Sequence, residues 1–210
     1  MRLYEFPAAA NCHRVSLYLA EKAIELPRVI VNIHGMEQKS PEFLRKNPAG
    51  KVPVLETDGG TYIAESAAIV EYLEELFPLP TMIGNTAVER AQVRRLQRIA
   101  SDGFELLSQY VVHTAPYFRT RPGRPVAQQS AIADDSLERL LPLLGVLELE
   151  LARSAFLGAD HPTIADCTLF AGLRFASRFG FALPPGHLQL DAWFQRFAAR
   201  PSARLTAATW

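Results

Sequence analysis

The chain has 210 residues, and its 22 lysines and arginines balance 22 aspartates and glutamates, so the formal net charge is zero. This balance excludes the general positive charge on which nucleic-acid binding depends. No apolar run approaches the ~18 residues of a membrane span, and the opening residues lack the apolar core of a signal peptide. We therefore expect a cytoplasmic protein that binds neither nucleic acid nor membranes. The two cysteines, Cys12 and Cys167, show no C-x-x-C or metal-ligand spacing, so neither a disulfide framework nor a structural metal is expected.

Strand and helix patterns divide the chain near Pro78-Leu79-Pro80. Before these prolines strand signals alternate with helical patterns, and after them only helical patterns appear, from about Val88 onward. The length allows two domains at ~100–200 residues each. We predict an α+β protein in which residues 1–78 form a β-α-β-α-β-β-α domain and residues 87–210 form an all-helical bundle.

The first predicted strand and helix carry three residues with reactive or polar side chains. Tyr4 lies on the strand, and Asn11 lies at the start of the helix, where it suits an N-cap and can also donate hydrogen bonds. Cys12 follows beside His13 and Arg14, a setting that lowers the pKa of a thiol. A structural role, capping for Asn11 and packing for Cys12 and Tyr4, stays open beside a chemical one.

The segment Lys51-Val52-Pro53-Val54-Leu55 has the features of a strand that binds a peptide through its main chain. Proline has no N–H to donate, so within a sheet it belongs at the first residue of a strand or on an edge. If the Val52-Pro53 bond is cis, the chain bends and leaves the N–H and C=O of Val52 facing outward. An extended ligand can then pair with these groups as an added strand.

The residues that follow predict the second half of this site. Val54–Thr57 and Thr61–Ala64 read as two strands joined by a turn at Asp58-Gly59-Gly60, and Ser66 then lies in the first turn of an amphipathic helix. The free N–H groups and the positive dipole end of that helix favour a carboxylate, with the Ser66 hydroxyl as a further donor. The Glu65 carboxylate can pair with an ammonium group. The ligand implied is an amino acid head group attached to an extended peptide.

Four segments of the chain carry a combined pattern. They are Asn11–Val15 after the opening Leu3-Tyr4, Asn47–Leu55, Glu65–Leu73 and Thr163-Ile164-Ala165-Asp166. Together they closely resemble the cytosolic glutathione S-transferase superfamily, bacterial type, in which the last segment matches the capping motif of the sixth helix. The resemblance covers essentially the whole chain. It implies an N-terminal thioredoxin-like domain, an all-helical second domain, glutathione as co-substrate, no metal, and a homodimer that acts in detoxification.

The resemblance also implies which residues hold glutathione. The strand segment and the helix start supply most contacts, and a preceding loop lies near the glycine end of the tripeptide. The implied binding residues are Gln38, Lys39, Lys51, Val52, Pro53, Glu65 and Ser66.

A glutathione-using enzyme must convert the thiol of its co-substrate into the nucleophilic thiolate. Lowering a thiol pKa of ~8.5 by about two units takes ~2.7 kcal/mol. One helix dipole, at roughly 0.3–1 kcal/mol, and one hydrogen bond to the charged group, at ~1.5–3 kcal/mol, are enough. Related bacterial sequences often carry Ser or Thr two places before the matching asparagine, where this chain has Ala9. The remaining candidates are Asn11, which we favour, Cys12 and Tyr4.

In this superfamily the acceptor pocket lies between the two domains. The best candidates to line it are Tyr110, His113, Tyr117 and Phe118, although an aromatic stripe of this kind also fits plain core. Arginines recur every four residues at Arg90, Arg94 and Arg98, on a helix that builds the dimer interface in the family.

The interpretation that these features favour is a transferase that adds the glutathione thiolate to an electrophilic, largely apolar small molecule. Two alternatives stay open. Cys12 could carry a mixed disulfide with glutathione, as in a thiol reductase or peroxidase. The alanine at position 9 also leaves room for a non-catalytic binding module with this fold.

Overall fold

The computed structural model describes residues 1–207, which form two compact units. The first unit comprises residues 1–80 and the C-terminal helix, and the second comprises residues 81–200. The elements of the first unit are β1 (Arg2–Glu5), α1 (Ala10–Glu21), β2 (Arg28–Ile30), a 3-10 turn (Glu37–Lys39), α2 (Pro41–Lys46), β3 (Val54–Glu56), β4 (Tyr62–Ala64), α3 (Ser66–Leu76) and, later in the chain, α9 (Pro201–Ala207).

A four-stranded sheet in the order β2-β1-β3-β4 forms the centre of the first unit. β1 runs parallel to β2, whereas β3 is antiparallel to both β1 and β4. Side chains alternate between its faces. Tyr4 and Val54 pack with Phe43 of α2 on one face, while Glu5 accepts a hydrogen bond from Ser16 of α1 on the other. The sheet therefore separates α2 from α1, as in a thioredoxin-like domain.

Helices α1 and α3 lie parallel and are joined at both ends. At their N-terminal ends the Ser66 hydroxyl donates to Asn11 Oδ1 at 3.1 Å. At their C-terminal ends Lys22 Nζ lies 2.9 Å from Glu74 Oε2, which also accepts from the Tyr18 hydroxyl at 2.7 Å. The Lys22 and Glu74 side chains are 0% and 2% exposed, so this is a buried ion pair whose acceptor is further satisfied by a neutral donor.

The second unit is entirely helical in the described residues. Its helices are α4 (Ala87–Thr114), α5 (Tyr117–Thr120), α6 (Ser130–Leu151), α7 (Ile164–Arg178) and α8 (Leu188–Ala198). α4 packs against both α6 and α7, and the fully buried Trp193 and Phe197 of α8 join the core beside Phe170. The predicted fold class, a thioredoxin-like domain followed by a helical bundle, is confirmed. No helix among residues 1–207 has the length and apolar character needed to cross a bilayer.

The predicted cap at Thr163–Asp166 is present and does more than begin α7. Thr163 and Asp166 form a reciprocal capping box. The fully buried Asp166 carboxylate also accepts from the Leu157 N–H at 3.0 Å and from Trp193 Nε1 at 2.8 Å. One carboxylate thus ties the start of α7 to the preceding loop and to α8, a role that the sequence motif alone does not reveal.

The C-terminal helix α9 belongs with the first unit, whereas the sequence-based division at residues 87–210 includes it in the second. Thr206 of α9 lies 3.0 Å from His13 Nε2, and the Ser202 hydroxyl donates to Glu21, so both contacts are with α1. A seven-residue helix is too short to form its own core, and packing rather than chain order decides where it docks.

We expect Lys22→Met to lower the free energy of unfolding by about 3–5 kcal/mol, because it leaves the buried Glu74 carboxylate without its cation. Urea unfolding followed by circular dichroism measures this. The matched control is Glu42→Gln, which removes the ion pair of the exposed Glu42 with Lys46 and should cost less than about 1 kcal/mol. The double variant Lys22→Met/Glu74→Leu should recover most of the loss. If Lys22→Met lowers the free energy of unfolding by no more than Glu42→Gln does, this account is contradicted.

Candidate functional site

The Val52–Pro53 peptide bond is cis, the geometry on which the predicted peptide site depends. Pro53 is buried and β3 begins at the next residue. The Val52 side chain packs on the cluster of Tyr4, Phe43 and Val54. Neither its N–H nor its C=O has a hydrogen-bond partner among residues 1–207. A main-chain donor and acceptor are therefore held in place and left unpaired at the start of an inner strand.

The loop before Val52 is organised by Asn47, which is 4% exposed. Its Nδ2 donates to the Lys51 C=O at 2.8 Å, and its Oδ1 accepts from the Ala49 N–H at 3.0 Å. Lys39 Nζ binds the Ala49 C=O at 3.0 Å from the other side. Gly50 has a φ of +59°, and a Cβ there would lie 2.8 Å from the Gln38 C=O, so only glycine fits. Lys51 itself is exposed.

The two residues that precede and begin α3 have the geometry of an anion site with a carboxylate beside it. Glu65 is exposed and has a φ of +68°, an uncommon backbone conformation for a residue with a side chain. Its carboxylate has no ion-pair partner among the described residues. The N–H groups of Ser66, Ala67 and Ala68 likewise have no acceptor there, and the positive end of the 11-residue helix α3 is at this point.

Asn11 is brought against this helix start, but not as the cap of its own helix. The N-cap of α1 is Ala9, whose side chain makes no capping bond. Asn11 is the second residue of α1, and its Oδ1 accepts from Ser66 Oγ at 3.1 Å. Two consequences follow. The Ser66 hydroxyl is already used within the protein, and the Asn11 Nδ2 group remains a donor, as do the N–H groups of Ala10 and Asn11.

Cys12 does not have the electrostatic setting that its neighbours in sequence suggested. It is fully buried, and burial raises the pKa of its thiol well above the ordinary value. The hydrogen bond with Phe6 opposes this shift only in part, and the nearby Glu5 carboxylate adds to it. The expectation of a lowered Cys12 pKa is wrong because the side chain turns into the core rather than toward the helix N-terminus.

Tyr4 faces the other side of the sheet from α1. Its hydroxyl donates to Glu56 Oε2 at 2.7 Å, and burial together with that bond raises the pKa of Tyr4 to about 12. Its ring also contacts Phe43 and Tyr62, with Lys46 Nζ 5.4 Å from its centroid. The structure therefore gives Tyr4 a packing role and separates it from Asn11 and Ser66.

Gln38 lies in the 3-10 turn beside the Asn47 loop. Its Nε2 is 3.5 Å from the Ile33 C=O, and its buried Oε1 has no hydrogen-bond partner among the described residues. A buried acceptor without a donor is costly.

The predicted acceptor residues lie in the second unit. Tyr117 stacks on Phe179 with 5.7 Å between ring centroids, and Phe118, at 4% exposure, packs against the same ring. Tyr110 contacts Phe181 edge to face at 5.6 Å. His113 Nδ1 accepts from the Gln129 N–H at 3.1 Å, so the neutral ring carries its proton on Nε2. Phe118 is core, whereas Tyr117 is exposed and the other two are half-buried.

Two residues of the first-unit site were not among the predicted site residues. Asn47 and Gly50 lie within a motif that the sequence displays, but their part is to shape the loop rather than to contact a ligand. The Asn-Pro dipeptide at 47–48 is a turn signal of its own. It could have identified Asn47 as the residue whose side chain closes the loop.

Comparisons with known proteins agree with this architecture. A family model described as Glutathione S-transferase, N-terminal domain matches residues 3–81, and one described as Glutathione S-transferase, C-terminal domain matches residues 107–201. Glutathione S-transferase 2 of Saccharomyces cerevisiae is 34% identical, over 97% of this chain and 88% of its own length.

Solved structures also match this chain. A glutathione S-transferase domain-containing protein of Marinobacter aquaeolei has a TM-score of 0.88 at 34% identity, covering 97% of this chain and 100% of that one. A glutathione S-transferase-I bound with lactoylglutathione has a TM-score of 0.84 at 26% identity, covering 100% and 99%. The thioredoxin-like unit followed by a helical unit is thus the architecture of a glutathione-using enzyme. This chain belongs to the glutathione S-transferase family, as the sequence pattern predicted, and is an enzyme of that class.

We expect Gly50→Ala to raise the dissociation constant for glutathione about fivefold or more, because the left-handed backbone costs a residue with a Cβ roughly 1–2 kcal/mol and the Gln38 C=O must move. Isothermal titration calorimetry measures this. Gly59→Ala is the matched control, since its Cβ would meet only Thr57 Oγ1 at 3.8 Å. Equal affinities for the two variants contradict the role given to the Asn47 loop.

We expect Cys12 to form no adduct with oxidised glutathione in the native protein at neutral pH, because its raised pKa keeps the thiol protonated and burial blocks access. Intact-mass spectrometry after incubation measures this. Cys167, also buried, serves as the internal comparison, and both thiols should react once the chain is unfolded in urea. A native adduct at Cys12 alone contradicts this account.

Proposed function

We propose that this enzyme binds glutathione in the first unit and adds its thiolate to an electrophilic, largely apolar small molecule. The observation that carries the proposal is the unpaired N–H and C=O of Val52 in the same unit as the free helix start at Glu65 and Ser66. Together they offer a main-chain pairing edge and a head-group site, the two parts that a γ-glutamyl tripeptide requires.

The γ-glutamyl end suits the start of α3. Its carboxylate is placed at the N–H groups of Ser66 and the residues after it, where the helix dipole adds a favourable interaction. Its ammonium group pairs with the exposed Glu65 carboxylate. The strained φ of Glu65 supports this assignment, since backbone strain of about 1–3 kcal/mol is typical of positions that clamp a ligand.

The middle and the glycine end of glutathione suit the strand and the loop. The cysteinyl N–H and C=O pair with Val52, whose orientation the buried Pro53 maintains. We assign the glycyl end to the segment of Gln38 and Lys39, where the cations Lys39 and Lys51 favour the terminal carboxylate.

We assign the stabilisation of the thiolate to the start of α1. The N–H groups of Ala10 and Asn11 and the Asn11 Nδ2 group are the donors left unpaired there, and the bond from Ser66 orients the Asn11 amide. The helix dipole contributes roughly 0.3–1 kcal/mol and one donor ~1.5–3 kcal/mol. This is enough to lower a thiol pKa by one to two units at ~1.36 kcal/mol each.

For the acceptor molecule we propose contacts from Tyr110, His113 and Tyr117 in the second unit, with Phe118 supporting them from the core. The Nε2–H of neutral His113 can donate to a leaving group. We further propose that the enzyme acts as a cytoplasmic homodimer in detoxification. The burial of Cys12 argues against the alternative of a reductase or peroxidase that uses this thiol, and family membership favours an enzyme over a non-catalytic module.

We expect Asn11→Leu to raise the pKa of the bound glutathione thiol by about one to two units, because a donor to the charged form is lost. Thiolate absorbance as a function of pH measures the pKa. Conjugation at neutral pH should fall about ten- to a hundredfold and recover as the pH rises through the new pKa. Tyr4→Phe is the matched control and should leave the pH profile unchanged, since its hydroxyl binds Glu56.

Ser66→Ala should weaken glutathione binding by less than about 1 kcal/mol, since the Ser66 hydroxyl donates to Asn11 Oδ1 and the main-chain N–H groups assigned to the ligand carboxylate are kept. An unchanged thiol pKa in Asn11→Leu removes the role given to Asn11. Binding of glutathione without conjugation to any of a panel of aryl halides, epoxides and enals contradicts the proposed transferase reaction.

A further inference from the structure

A groove in the second unit has none of the residues assigned above in its lining. It is formed by the C-terminal part of α7, the segment 181–187 and α8, and its volume is about 370 Å³. We name it the α7–α8 groove. The residues that define it in the following argument are Leu173, Ser177, Phe181, His187, Asp191 and Phe194.

We propose that the α7–α8 groove binds small aromatic amines in their protonated form, at a site separate from glutathione conjugation. Its volume lies within the ~300–1,000 Å³ typical of small-molecule sites. Most of its lining is apolar, from Leu173, Phe181 and Phe194 together with the proline pair Pro184-Pro185.

The apolar walls of the groove are held by the core behind them. Phe194 stacks on Phe170 with 5.1 Å between ring centroids, and Phe181 is 9% exposed and contacts Tyr110. Leu173 is 3% exposed. Because these side chains are fixed by packing, a ring entering the groove meets a preformed surface and orders few groups on binding.

The hydrogen-bonding side chains of the groove offer mostly acceptors. His187 Nδ1 lies 3.0 Å from the Pro184 C=O, which can only accept, so the ring proton is on Nδ1 and the Nε2 of the neutral ring is an acceptor. The Ser177 hydroxyl donates to the Arg174 C=O at 3.0 Å and so offers the ligand only lone pairs. Gln195 alone among the lining side chains adds N–H donors.

The charge of the groove is also one-sided. Asp191 lines it, is exposed and has no ion-pair partner among residues 1–207, and no lysine or arginine is among the described lining residues. The N-terminus of α8 would otherwise attract an anion, but Glu148 already occupies it. Its two carboxylate oxygens accept from the N–H groups of Gln189 and Leu190 at 2.7 and 2.8 Å. An anionic ligand would therefore meet the Asp191 carboxylate and few side-chain donors, whereas an ammonium group meets acceptors.

The test uses three probes that share a naphthalene ring and differ in charge: 2-(1-naphthyl)ethylammonium, 2-(1-naphthyl)ethanol and 1-naphthylacetate. Calorimetry on the full chain, with S-hexylglutathione present at saturation to occupy the glutathione site, gives the three affinities. We expect a dissociation constant of about 0.1–1 mM for the ammonium probe and binding of the carboxylate at least about tenfold weaker. Equal affinities for ammonium and carboxylate, or no heat with millimolar ammonium, overturn the proposal.

Two substitutions locate the binding. Asp191→Asn should weaken the ammonium probe about two- to fivefold, the range for a partly exposed ion pair, and leave the alcohol unchanged. Asp134→Asn, at an exposed carboxylate of α6 outside the groove, is the matched control and should change neither. Glutathione conjugation should be normal in both variants. Ammonium affinity that is equal in the two variants overturns the assignment to the α7–α8 groove.

Discussion

The first unit depends on the parallel pairing of α1 and α3, which is held at both ends by polar contacts of different character. At one end the buried ion pair of Lys22 with Glu74, supported by the Tyr18 hydroxyl, is sensitive to the loss of either partner because a single charge cannot remain buried. At the other end the contact of Ser66 with Asn11 joins the two helix starts. The positions of two helix dipoles and of the Asn11 amide therefore follow from one packing arrangement.

The proposed glutathione site uses main-chain groups more than side chains, and this explains how a chain with alanine at position 9 can still belong to a catalytic family. Helix N–H groups do not depend on the identity of a side chain. The residues around them serve to keep them free: Asn47 and Lys39 shape the loop before Val52, and the left-handed Glu65 turns the chain into α3. In the second unit a single buried carboxylate, Asp166, holds a loop and two helices together.

Sequence patterns identified much of this arrangement and failed where burial had to be known. The hairpin, the start of α3, the cap at Thr163 and the cis bond before Pro53 each have a local signal, and each is present. The lowered pKa expected for Cys12 is wrong, and the choice between packing and chemistry for Tyr4 stayed open, because neighbours in sequence need not be neighbours of a side chain. Cys12 turns inward from α1, and Tyr4 points to the face that α2 covers. The docking of α9 on α1 has no local signal, because it rests on contacts between residues far apart in the chain.

The sequence by itself determined the fold class, the family and the segments that form the proposed glutathione site, because turn residues, prolines and helix caps act over a few residues and leave a readable pattern. Tertiary structure alone decided which side chains at those segments remain free to act. Whether a hydroxyl, an amide or a thiol is available depends on the partner it meets across the sheet or on a neighbouring helix, as the bond between Ser66 and Asn11 and the burial of Cys12 show. The α7–α8 groove likewise exists only where two helices and a distant loop meet.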